Sequence, residues 1–146
     1  MRPNAIAAAL CMACAVAPGA EPAGTDAIAM AERGAALLMT RGRNEMIRRI
    51  NAKDPDFVQG ALHVGLRDLR TGIVLAHPHD RWIVGQDLID VPDALGKRYR
   101  REILDLAASG GKGWVDYHYR NPASGKLESH SVYILRVGDV VLEAGR

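Results

Sequence analysis

The spacing of apolar residues changes once along this chain, near Phe57, from the period of a helix to the alternation of a strand. From Thr25 onward Ile28, Ala31, Ala35 and Leu38 recur every three or four residues, and Thr25 or Asp26 can cap the start. Gly42 interrupts that pattern. Asn44 and Glu45 then read as the cap and acidic first turn of a short second helix carrying Met46, Ile47 and Ile50, which Asp54-Pro55-Asp56 ends. Past Phe57, Leu62, Val64 and Leu66 alternate with His63, Gly65 and Arg67, and Arg70-Thr71-Gly72 turns the chain into residues 73–78 as a hairpin. A loop with Trp82 and Gly85 leads to a third helix over residues 97–108, with Tyr99, Ile103 and Leu106 on one face and Gly110-Gly111 as its stop. Residues 114–120 and 129–137 form a second hairpin around Asn121-Pro122-Ala123-Ser124-Gly125, and Gly138-Asp139 turns into a last strand over residues 140–144. The expected class is α+β, an antiparallel sheet of about five strands with helices at the front and in the middle.

Residues 1–20 are expected to stand apart from this fold. Arg2 precedes an uncharged run of small and apolar residues over 5–17, broken by Pro18-Gly19-Ala20 ahead of acidic Glu21. A positive start, a short apolar centre and a small-residue exit make a secretory signal peptide, cleaved near Ala20; the alternative is retention as an N-terminal membrane anchor. The run falls short of the roughly 20 residues a spanning helix needs. Both cysteines, Cys11 and Cys14, lie in it; Ala15 stands where haem attachment requires His, so the pair reads as filler of a discarded segment. The expected domain is 25–146.

Composition narrows the function classes. The 146 residues hold 19 Lys and Arg against 17 Asp and Glu, so there is no basic excess of the kind that marks a nucleic-acid binder. The mean hydropathy of −0.08 is too high for a disordered chain and too low for a membrane bundle. Gly110-Gly111-Lys112-Gly113 leaves a helix and enters a strand, the reverse of a phosphate loop. The serines sit in no nucleophile elbow or triad order, and paired carboxylates at helical spacing are absent from the apolar faces, so no catalytic residues are assigned. His77 and His79 flank Pro78 next to Asp80, but spacing places no further ligand, and neither a metal nor a cofactor is expected.

Five stretches occur together in order: Leu75-Ala76-His77-Pro78, Asp93-Ala94-Leu95-Gly96-Lys97, Gly113-Trp114-Val115-Asp116-Tyr117, the turn 121–126, and Tyr133 ahead of Arg136-Val137-Gly138-Asp139. This arrangement, over about residues 28–146, resembles the single Cache domain of type 2, a PAS-like extracytoplasmic sensor module. The resemblance implies a long N-terminal helix packed on the antiparallel sheet and a small-molecule pocket between the sheet and its covering loops. It implies recognition of a small organic acid or similar metabolite outside the cytoplasm, periplasmic or secreted, and a membrane-bound signalling or transport partner. With no membrane helix or output domain expected after Arg146, the chain resembles the stand-alone secreted members. For such a pocket the chain offers Tyr117 and Tyr119 on one strand, Ser131 and Tyr133 on its neighbour, His77 on the first hairpin and Trp114 as a wall. Where the family often has Lys before that Ser, this chain has His130. The rival expectation is a periplasmic protein-interaction module whose pocket is filled by its own side chains.

Overall fold

A computed structural model describes residues 23–146. The expected leader, residues 1–20 with Cys11 and Cys14, lies outside the described residues. Helix α1 spans Ala23–Asn51 and is two helical segments in line, joined at Gly42 with φ 83° and ψ 177°. That backbone conformation belongs almost exclusively to glycine, which explains why the helical pattern breaks there and resumes at Asn44. Ala27, Met30, Ala31 and Leu38 from the first segment and Met46 and Ile50 from the second are buried. They form one continuous apolar stripe, so the break costs the helix no packing.

Six strands follow: β1 Val58–Gln59, β2 Leu62–Asp68, β3 Val74–Ala76, β4 Lys112–Arg120, β5 Leu127–Val137 and β6 Val140–Gly145, with α2, Tyr99–Ser109, between β3 and β4. The sheet is antiparallel in the order β1-β2-β6-β5-β4, and β3 also pairs with β2. The sixth strand beyond the expected five is β1, a two-residue piece on the far edge of β2, too short to display a period. The last strand in the chain, β6, lies in the middle of the sheet between β2 and β5.

Each face of the sheet has its own apolar cluster, because successive side chains on a strand point to opposite sides. On one face α1 packs against Leu62, Val64, Leu66, Tyr133, Leu142 and Ala144. The contact is close where Gly34 crosses β6: a Cβ there would lie 3.2 Å from both δ-methyls of Leu142 and 3.3 Å from the Met46 methyl. On the other face Ile103 and Ala107 of α2 pack against Val115, Val132, Ile134 and Val141. That helix covers only part of its face, and the uncovered remainder holds the cavity.

The segment between β3 and α2 roofs this remainder and protects the edge of β4. The buried Asp93 carboxylate accepts hydrogen bonds from the backbone N–H groups of Leu95 (2.9 Å), Lys97 (2.8 Å) and His118 (2.8 Å). Ala94 N–H donates to the His118 carbonyl and Lys97 Nζ to the Asp116 carbonyl. The outer edge of β4 is thus occupied by the chain's own loop rather than left open for another strand.

Candidate ligand cavity

Where α2 ends its cover, a cavity of about 350 Å³ lies between the sheet and the roofing segment. Its floor comes from the central strands. Gly65 and Arg67 of β2, Glu143 of β6 and Tyr117 and Tyr119 of β4 face it, and Val91, Pro92 and Ala94 of the roof close the other side. Register explains the floor. Arg67 pairs directly with Val141 and Gly65 with Glu143, so Arg67 and Glu143 are diagonal neighbours on one face. Their side chains form a forked ion pair, Arg67 Nε to Glu143 Oε1 and Nη2 to Oε2 at 3.2 Å, while Nη1 donates to the Gly72 carbonyl at 2.9 Å. Arg67 is 4% exposed and Glu143 16%, so the carboxylate is the more open of the two.

Aromatic rings make the wall. Tyr99, at the start of α2, stacks on Tyr117 with centroids 4.1 Å apart and an 11° interplanar angle. Tyr117 in turn stacks on its cross-strand partner His130 at 5.3 Å, and His130 meets the Tyr119 ring edge-on. Burial pushes the Tyr117 and Tyr99 hydroxyls above the ordinary tyrosine range, with the nearby Glu143 charge acting the same way, so both remain donors. Among the described residues neither hydroxyl has a hydrogen-bond partner. Arg100 lays its guanidinium 4.5 Å from the centre of the Tyr99 ring, tethered by Nη1 to the Val91 carbonyl at 3.0 Å. It is the half-buried cation at the cavity.

The imidazole of His77 borders the cavity, and its hydrogen bonds fix its protonation. Nδ1 accepts from the backbone N–H of Asp80 (2.8 Å) and of His79 (3.3 Å), so Nε2 carries the proton. Nε2 lies 3.2 Å from Nε2 of His63, whose Nδ1 donates to the Ala61 carbonyl at 2.8 Å. His77 therefore donates to His63. A metal at His77 would need the nitrogen that holds this proton. Among the described residues no three His, Cys, Asp or Glu side chains are grouped to hold a metal ion.

Both imidazoles are compatible with this chain of hydrogen bonds only when neutral. Protonating His63 sets two N–H groups against each other, and protonating His77 opposes two backbone donors. Burial, with the neighbouring histidines, pushes His63 down to about 4 despite the Ala61 carbonyl and Asp80, which act in the opposite sense. Burial likewise lowers His77, with Asp80 and Glu143 opposing and His79 and Arg67 reinforcing. A folded-state value below the unfolded one means that the unfolded chain takes up the extra proton as pH falls from about 6.5 to about 4, and stability is lost over that window. For His63 alone the loss is about 3 kcal/mol, roughly 10 °C in Tm. Thermal unfolding at pH 7 and pH 4 should show this drop, and His63→Gln should shrink it. An equal drop in both proteins would assign the acid sensitivity to other groups.

The strand registers sort the sequence-predicted residues into two sets. His77, Tyr117 and Tyr119 line the cavity. Trp114, Ser131 and Tyr133 lie on the opposite face: Tyr133 is buried in the α1 cluster, with Trp114 tilted against it at 5.3 Å. Trp114 and Ser131 border a separate groove beside Gly24 and Ala27 of α1. Sequence reasoning left out Arg67, Glu143, Tyr99, Arg100 and His63. One signal for the ion pair was present: Glu143 interrupts the otherwise apolar run Val140–Gly145.

An antiparallel sheet with a long helix on one face, and an aromatic-walled cavity under a loop on the other, is the layout of a PAS-like domain. Residues 68–138 match the family model Single Cache domain 2, the family that the sequence resembles. Among solved structures it is similar to the periplasmic sensor domain of a chemotaxis protein, at 22% identity over 84% of this chain and 88% of that one, with a TM-score of 0.61. It is also similar to a Cache chemosensory domain described for carboxylic acid recognition, at 20% identity over 84% and 86%, TM-score 0.63. A methyl-accepting chemotaxis protein from Vibrio parahaemolyticus aligns at 15% identity over 79% and 81%, TM-score 0.62. At these identities the likeness is one of fold. No curated protein matches the sequence.

Proposed function

We propose that this chain is an extracytoplasmic, non-catalytic sensory domain that binds a small organic acid in the cavity between the sheet and its loop roof. The observation that carries the proposal is that cavity: about 350 Å³, walled by Tyr99 and Tyr117 with unpartnered hydroxyls and flanked by the Arg100 guanidinium. An apolar wall with a few fixed donors and one cation is what a short carboxylate requires. Open space beside Tyr117 and Tyr119 favours this reading over an interaction module filled by its own side chains. The family, and a structural neighbour described for carboxylic acid recognition, support the same ligand class.

No helix among the described residues is long and apolar enough to cross a membrane. We place the domain outside the cytoplasm behind the leader 1–20, with its loaded state presented to a membrane-bound signalling or transport partner. Mass spectrometry of the exported protein checks the leader, since an N-terminus near Glu21 excludes a retained anchor. The ligand test is thermal unfolding of the purified protein with acetate, propionate, lactate, succinate and alanine. An acid at 100 times its Kd should stabilise by about 2.7 kcal/mol, and Tyr117→Ala or Arg100→Ala should reduce the shift. No shift from any acid would overturn the reading.

A further inference from the structure

The floor of the cavity is electrically unusual for a site that takes an acid. Arg67, the buried cation there, has its guanidinium edges occupied: Nε and Nη2 by Glu143, and Nη1 by the Gly72 carbonyl. Three of its five N–H groups are thereby used, and with the side chain only 4% exposed it offers little to a ligand carboxylate. Glu143 is different. A carboxylate has about four acceptor positions, and Arg67 takes two of them. Glu143 stands at the cavity surface. A ligand reaching the floor therefore meets an acceptor that carries negative charge. Arg100 belongs to the wall and roof, held against the Tyr99 ring and the Val91 carbonyl, and among the described residues Arg120 is a further cation lining the cavity. The cavity is bipolar, with an anion acceptor at its floor and a cation beside its roof.

We infer that the cavity selects organic acids bearing a second group that donates hydrogen bonds, an ammonium or a hydroxyl, and that Glu143 is the residue reading that group. This rests on the organic-acid reading above and narrows it. The carboxylate of such a ligand sits by Arg100 and the tyrosine hydroxyls, and its donor group meets Glu143. A plain carboxylate leaves the Glu143 acceptor positions unmatched. Sites built to hydrogen-bond a polar substituent discriminate strongly against the analogue that lacks it.

Propionate, lactate and alanine share one carbon skeleton and differ only in hydrogen, hydroxyl or ammonium at one carbon, which makes them the probes. Calorimetric titration of the wild-type protein should show lactate or alanine binding at least about tenfold more tightly than propionate. Glu143→Gln keeps an acceptor for Arg67 but removes the charge, and should narrow the alanine-to-propionate ratio. Because a lone change at a buried pair can compromise folding, Arg67→Met combined with Glu143→Leu provides the second variant. With an apolar floor it should reverse the order and favour propionate. Propionate binding as tightly as the other two to the wild type would overturn this inference while leaving the organic-acid reading intact. Binding of none of the three acids would overturn both.

Discussion

Arg67→Met should destabilise the domain by about 3–5 kcal/mol, the cost of leaving one member of a buried ion pair without its partner. The change removes both bonds to Glu143 and the bond to the Gly72 carbonyl, and strands the carboxylate among Tyr99, Tyr117 and His77. Roughly 10–20 °C should be lost from Tm. Adding Glu143→Leu should recover most of this, because an apolar pair in place of a buried ionic one is often neutral in stability. Urea unfolding of the wild type, both single variants and the double variant measures the coupling. A stable Arg67→Met protein would mean that cavity water already solvates Glu143, so that the pair contributes little.

A loss of about 3–4 kcal/mol is expected from Leu142→Ala, for a different reason. Leu142 is fully buried at the centre of β6, where its two δ-methyls fill the contact with α1 at Gly34. Truncation leaves a void that a helix running over a sheet cannot collapse to fill. Gly34→Ala alone should also be unfavourable, since the new methyl would sit 3.2 Å from the Leu142 methyls. Combined with Leu142→Ala, that methyl enters the void, and the double variant should be more stable than the two single losses predict by roughly 1 kcal/mol. Denaturant midpoints of the four proteins decide this. Strict additivity would place the contact elsewhere.

These two sites also show what the sequence could and could not convey. The change of period near Phe57, the Gly42 break and the Asn121–Gly125 turn lead to the element order, because each acts through local spacing or a single backbone conformation. β1 escaped that reading since Val58–Gln59 is too short to show alternation. The order of strands is not local at all: nothing near Val140 indicates that it leads a central strand. The same non-locality hid half of the site. Alternation places Tyr117 and Tyr119 together on one face of β4 and puts Trp114 on the other, but both faces of the sheet are apolar, so spacing does not say which one holds a cavity. Ser131 and Tyr133 face away from the cavity because β5 pairs Asp116 with Ser131 and Trp114 with Tyr133, leaving His130 opposite Tyr117. Arg67 and Glu143 are 76 residues apart in sequence, and only the β2–β6 register joins them.

The central position of β6 has a consequence for how the chain acquires its shape. A polypeptide emerging with its N-terminus first completes α1, β2 and the β4–β5 hairpin while the strand that joins them is still to come. Until β6 arrives, β2 and β5 each present an unpaired edge, and the two halves of the sheet have no direct ladder between them. Closure then depends on pairings of long sequence separation, which carry a high loop-closure entropy and make folding slow. The domain is therefore expected to gain its cooperative structure in one late step, after its last strand has been delivered, rather than piece by piece as it is made.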